Sequence, residues 1–203
     1  TRQNGPIGRR PGAMNEARPD PDALLRAATR EGKGRLKVFL GAAPGVGKTF
    51  EMLMEGAARR EAGTDVIIGV VETHGRRETE AKIGRIEIVP RKRIEHQGHV
   101  LDEMDIDAIL WRRPELVLVD ELAHTNAPGS RHAKRYQDVE ELLDAGIDVY
   151  STLNVQHLES LNDLVASFTR VRVRETLPDR VIESAELEVV DIPPDELMER
   201  LRQ

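Results

Sequence analysis

The chain has 203 residues, enough for one sizeable domain with short appendages. Its net charge of −6 and its 3% aromatic content speak against broad nucleic-acid binding, which needs basic surface and stacking side chains. It has no cysteine, which excludes disulfides and thiolate metal sites. With few aromatics, the core must be built from Val, Ile, Leu and Ala, a composition suited to a parallel sheet covered by helices. No apolar run reaches the roughly 20 residues that span a bilayer. No secretory leader is evident, because the basic N-terminus is not followed by an apolar segment. The chain opens on Thr1 rather than Met and stops soon after Leu201, as a piece of something longer would.

Residues 1–19, rich in Arg, Gly, Pro and Asn, are expected to form a flexible tail, and residues 20–203 one domain. Asp20-Pro21-Asp22 opens a short helix from Ala23 to Arg30, ended by Gly32 and Gly34. Leu36 to Leu40 is a buried strand. A loop of small residues follows, Ala42, Ala43, Pro44, Gly45, Val46 and Gly47, then Lys48-Thr49 and a helix running to about Gly63, with Phe50, Leu53, Met54, Ala57 and Ala58 at helical spacing. Strand, glycine loop, Lys-Thr and helix is the layout of a phosphate-binding loop. Gly45 and Gly47 allow the backbone to curl with its N–H groups inward, forming a positive cup at a helix N-terminus. Lys48 is positioned for β- and γ-phosphates, and the Thr49 hydroxyl for Mg2+. The first glycine of the usual pattern is replaced by Ala42, with Gly41 one position early, so the way the loop leaves its strand is expected to differ.

Asp65 to Val71 reads as a second strand, placed next to the loop strand, and ends in Glu72-Thr73-His74. These three residues either meet Mg2+-bound water or γ-phosphate, or simply cap a turn. Glu78 to Ile86 is an exposed helix and Ile86 to Pro90 a short strand, followed by the basic run Arg91-Lys92-Arg93, most simply a solvated loop. Residues 94–104 have no clear period and read as extended or irregular. Asp105 to Arg113 is a helix stopped by Pro114. Leu116 to Val119 is a third buried strand, closing on Asp120-Glu121. A carboxylate at Asp120 can hold Mg2+ opposite Thr49, and Glu121 can orient or deprotonate an attacking water.

A polar loop from Ala123 to Lys134 leads to a helix marked by Val139, Leu142 and Leu143. Then come a strand from Ile147 to Leu153, where Thr152 and Asn154 either read a γ-phosphate or only end the strand, and a helix with Leu158, Leu161, Leu164 and Val165. Val171 to Arg174 alternates like a strand, Leu187 to Ile192 is the last strand, and Pro194 to Leu201 the last helix. One of Arg76, Arg77, Arg131, Lys134 and Arg135 could neutralise charge as an arginine finger does. The six histidines show no metal-ligand spacing. Strands alternating with helices predict a doubly wound, mostly parallel α/β sheet of the P-loop NTPase kind, with ligands at the C-terminal strand ends.

Three longer strings carry a resemblance: Val-Glu-Thr-His-Gly-Arg at 71–76, Leu-Val-Asp-Glu-Leu-Ala-His-Thr-Asn-Ala-Pro-Gly-Ser at 118–130, and Thr-Leu-Asn-Val-Gln-His-Leu-Glu-Ser-Leu-Asn-Asp at 152–163. With the loop they resemble the N-terminal cytoplasmic domain of the KdpD sensor histidine kinase family, over roughly Gly34 to Leu201. The resemblance implies an ATP- and Mg2+-binding loop at Ala42 to Thr49, with Asp120 the acidic strand end. It also implies a regulatory domain that modulates the balance of kinase and phosphatase in a two-component system controlling potassium uptake. Its partners would be the other domains of the same protein and, through them, a response regulator. The whole protein would sit in the cytoplasmic membrane through segments absent here, with this domain on the cytoplasmic face. No phosphoacceptor helix or second ATP site of the histidine-kinase type is evident, so this chain alone is not expected to autophosphorylate. The competing readings are a free-standing P-loop ATPase or small-molecule kinase, a nucleic-acid-stimulated NTPase, and a scaffold that binds nucleotide only for stability.

Overall fold

The computed structural model describes residues 32–73, 75–170 and 173–191. The tail over 1–19, the helix expected from Ala23 to Arg30, His74, Val171, Arg172 and the closing helix from Pro194 lie outside the described residues.

Six strands form one sheet in which every pairing is parallel: β1 (Leu36–Gly41), β2 (Val66–Val70), β3 (Glu87–Ile88), then, after a separate hairpin, β6 (Leu116–Val119), β7 (Asp148–Asn154) and β8 (Glu186–Val190), in the spatial order β3-β2-β6-β7-β1-β8. This is the expected mostly parallel α/β architecture. The inner strands β2 and β6 are apolar throughout because both of their faces are covered. In β6, Leu116 and Leu118 point into one core layer with Phe39, Met52, Leu53 and Ile68, while Val117 and Val119 point into the other with Val38, Ile109, Val139 and Val149. The first layer lies under α1 (Lys48–Glu61) and α2 (Arg77–Ile83). The second lies under α3 (Ile106–Arg112) and α4 (Arg135–Asp144), with Leu161 of α5 (Glu159–Thr169) packed against it.

Within α1 the buried positions are Lys48, Met52, Leu53 and Gly56, whereas Met54 is 41% exposed. The covered stripe is therefore rotated from the one that apolar spacing alone suggests. Asp105 caps α3, its carboxylate accepting from the Ala108 amide at 3.0 Å.

Three expectations are corrected. First, β2 does not lie next to the loop strand: β6 and β7 stand between β2 and β1, and β2 pairs with β6 and β3. Parallel strands are joined by crossovers, and nothing local in a crossover states how many positions it skips. Second, the stretch 94–104, read as extended or irregular, is extended and regularly paired as far as Glu103: β4 (Lys92–His96) and β5 (His99–Glu103) form an antiparallel hairpin around Gln97-Gly98, which both carry positive φ, 49° and 79°. Positive φ at both central residues is the turn that matches strand twist in a tight hairpin. Third, Val173 and Arg174 belong to no strand. Among the described residues no helix is long and apolar enough to cross a membrane.

Candidate functional site

The loop after β1, the Glu72 segment after β2, Asp120 after β6 and Asn154 at the end of β7 all lie at the C-terminal edge of the sheet. Gly45 and Gly47 hold φ of 87° and 101°, conformations that a side chain would strain. Gly47 is the N-cap of α1 and supplies no side-chain acceptor, so the first-turn amides of a 14-residue helix have no side-chain cap.

The early glycine now has a reason. A Cβ on Gly41 would stand 2.6 Å from Val46 Cγ2 and 2.9 Å from Lys48 Cδ. The Lys48 stem and the buried Val46 therefore lie directly on the Gly41 backbone. Ala42 is exposed, so its methyl points where it obstructs nothing.

Lys48 is 8% exposed and donates from Nζ to the Ala43 carbonyl at 3.0 Å. Burial pushes its amine down to about 8; the Asp120 and Glu121 carboxylates pull it back, and Arg76 adds to the fall. The two carboxylates do not fully offset the burial of this ammonium, whose one hydrogen-bond acceptor is a carbonyl.

Asp120 is the centre of the polar edge, at 2% exposure. The Thr49 hydroxyl donates to it, 3.1 and 3.2 Å from its two oxygens. The Glu72 amide reaches Oδ2 at 3.1 Å and the Glu121 amide Oδ1 at 3.2 Å. The buried Thr152 hydroxyl also donates to Oδ1. The sequence leaves Thr152 as either a phosphate reader or a plain strand end; its hydroxyl holds Asp120 and accepts from the Glu121 amide at 3.0 Å. Asn154, paired in register with Gly41, has a buried Oδ1 with no hydrogen-bond partner among the described residues.

Glu121 follows with a left-handed backbone, φ 57°, and an exposed side chain. A non-glycine residue in that region is uncommon and concentrates at working sites. Behind it lies Arg135, 3% exposed, which donates to the Asp120 carbonyl at 2.9 Å and stands 3.9 Å from Glu121 Oε2 and 3.5 Å from Glu103 Oε2.

The other basic candidates divide clearly. Arg131 is held by Asp107 and Glu141, and Lys134 donates to the Thr125 hydroxyl. Arg135 is committed to the fold. Arg76, the N-cap of α2, is exposed and within the field of Lys48; Arg77 is exposed as well. Arg91 is an exposed loop residue, yet it pairs with Glu72 at 2.7 Å and donates to the Val71 carbonyl at 2.9 Å. The histidines of the 123–134 loop each meet a carboxylate, His124 with Glu103 at 3.2 Å and His132 with Asp138 at 2.7 Å.

These features define an α/β domain with a glycine loop, a buried lysine and an acidic strand end converging on one sheet edge. The family model described as "Osmosensitive K+ channel His kinase sensor domain" (KdpD) matches residues 32–203, and the chain belongs to that family. It is 54% identical over 187 residues to a "Sensor protein KdpD" of Escherichia coli, covering 92% of this chain and 21% of that protein. It is 57% identical over 172 residues to a "Putative sensor protein KdpD" of Synechocystis, covering 84% of this chain and 46% of that protein. A "Sensor protein KdpD" of Mycobacterium tuberculosis is 52% identical over 170 residues, 83% of this chain and 20% of that protein. The chain thus spans about a fifth of the Escherichia coli relative's length.

Proposed function

We propose that the domain binds ATP with Mg2+ through a P-loop at Ala42–Thr49, as the regulatory nucleotide-binding part of a two-component sensor histidine kinase controlling potassium uptake. The observation that carries the reading is Lys48: a buried amine whose charge Asp120 and Glu121 only partly offset, beside helix amides without a side-chain cap and a Thr49–Asp120 pair. The amides of Ala43, Gly45, Val46, Gly47 and Lys48 would take phosphate oxygens, the Lys48 amine the β- and γ-phosphates, and Thr49 with Asp120 the Mg2+. When bound, Mg-ATP supplies a dense negative charge that matches this donor set.

The residues around the site supply the regulation. Glu72, Asp120 and Asn154 begin the loops after three strands, and loops that order around a γ-phosphate are an established form of switch. The signal would pass to the remaining domains of the sensor kinase, shift its balance between kinase and phosphatase, and reach a response regulator through them. Family membership and the relatives' printed names support this setting. In this reading the whole protein would sit at the cytoplasmic membrane with this domain on its cytoplasmic face, and nucleic acid would have no part.

A second reading, a P-loop ATPase or small-molecule kinase acting on its own, is favoured by Glu121, whose unusual backbone sets a carboxylate next to Asp120. Mg-ATP affinity and phosphate release, measured together on wild type and Glu121→Gln, separate the two. The regulatory reading expects binding with turnover far below the roughly 1 s−1 at which ordinary enzymes begin, indifferent to Glu121. Ordinary turnover that falls 100-fold or more in the variant would favour the enzyme.

A further inference from the structure

The β4–β5 hairpin stands outside the six-stranded sheet and pairs only with itself. Its tip, residues 97–102, is exposed throughout, with Val100 at 45% and Leu101 at 39%. An isolated two-stranded hairpin is marginal in water, so its order depends on what holds it: its two ends, and Ile94, which lies over Gly129.

Both ends run to the candidate site. At the first, Arg91 sits one residue before β4 and pairs with Glu72, whose amide donates to the Asp120 carboxylate at 3.1 Å. At the second, Glu103 closes β5 and is 7% exposed. Its Oε1 accepts from the Ala127 amide at 2.7 Å, and its Oε2 stands 3.5 Å from Arg135, which donates to the Asp120 carbonyl. Two separate chains of polar contacts, one from each end of the hairpin, therefore meet at one residue.

Arg135 makes the second chain responsive. It is a buried cation shared between Glu103 at the hairpin and Glu121 at the site. A divalent cation held by Thr49 and Asp120 would attract the Glu121 carboxylate and leave Arg135 to Glu103, at the foot of β5. Arg91 and the foot of β4 are tied to the same edge through Glu72.

We infer that the Lys92–Glu103 hairpin is the arm that conveys occupancy of the nucleotide site: filling the site orders the hairpin, and holding the hairpin tightens the site, since coupling between two sites is reciprocal. The inference rests on the nucleotide reading above. Amide hydrogen exchange on the whole chain, with and without Mg-ATP, tests both and tells them apart. The expected result is slowed exchange at the loop amides of 43–49 together with slowing of about tenfold across 92–103, within the range of ordinary couplings. In Arg91→Ala and Glu103→Gln the loop still slows while the hairpin changes less than about twofold. Arg91 lies on the surface, so its variant keeps the test open should the buried Glu103 variant fold poorly. A protected loop with an unchanged hairpin in wild type overturns the inference and leaves the nucleotide reading standing. Equal hairpin slowing in wild type and both variants also overturns it, and no slowing at either place overturns both.

Discussion

Asp120→Ala is expected to lower stability by about 3 kcal/mol, near the top of the range for a buried hydrogen-bonded group, and to abolish Mg-ATP binding. The carboxylate takes the Thr49 and Thr152 hydroxyls and the Glu72 and Glu121 amides, so one side chain closes three different strand ends. Truncation leaves the Thr152 hydroxyl, in a residue 3% exposed, facing an emptied space. Asn keeps the shape but offers one accepting oxygen, and about half the loss is expected from Asp120→Asn. Glu121→Ala, at an exposed side chain, should stay within about 0.5 kcal/mol of wild type. Urea midpoints at constant slope check the series; an Asp120→Ala protein as stable as wild type would remove Asp120 from the centre of this edge.

Gly41→Ala is the second large effect. The added Cβ would sit 2.6 Å from Val46 and 2.9 Å from Lys48, and Val46 is 2% exposed with nowhere to withdraw. Overpacking of this kind costs about 1–3 kcal/mol, which for a domain of this size lowers Tm by roughly 2–12 °C. The Lys48 stem would also be lifted off the strand end, so Mg-ATP affinity should fall more than tenfold. Ala42→Gly makes the loop match the usual pattern on paper, yet it should shift stability by no more than about 1 kcal/mol, the entropic cost of a glycine. Thermal unfolding and nucleotide titration of the two variants side by side check the contrast.

The sheet was readable where burial on both faces leaves an uninterrupted apolar run, as in Leu116–Val119 and Val66–Val70. The hairpin was not, because its strands are largely exposed and filled with Lys92, Arg93, Glu95 and Asp102; the signal available was Gln97-Gly98 between two segments of extended-forming residues. Strand order was out of reach, since a crossover's local sequence does not record the strands it passes over. Among the site residues, Lys48, Thr49 and Asp120 stood out by spacing. The reason for Gly41, the clamp by Thr152 and the buried sharing of Arg135 between Glu103 and Glu121 join residues 5 to 32 positions apart and become visible only in three dimensions.

Lys48 offers the most direct measurement. Its amine, at about 8 in the free domain, must carry its proton to meet phosphate oxygens, and above pH 8 binding has to supply it. Binding raises its pKa, so affinity should be flat below pH 8 and fall about tenfold per unit above it until the bound-state value is reached. Calorimetric titration of Mg-ATP at pH 7, 8 and 9 into wild type and Lys48→Met, which keeps the stem over Gly41, is the test. The expected result is pH-dependent binding by wild type and binding about 100-fold weaker and independent of pH in the variant, the loss of a charge-assisted contact. Equal affinity in the two proteins, or none in either, would contradict the nucleotide reading.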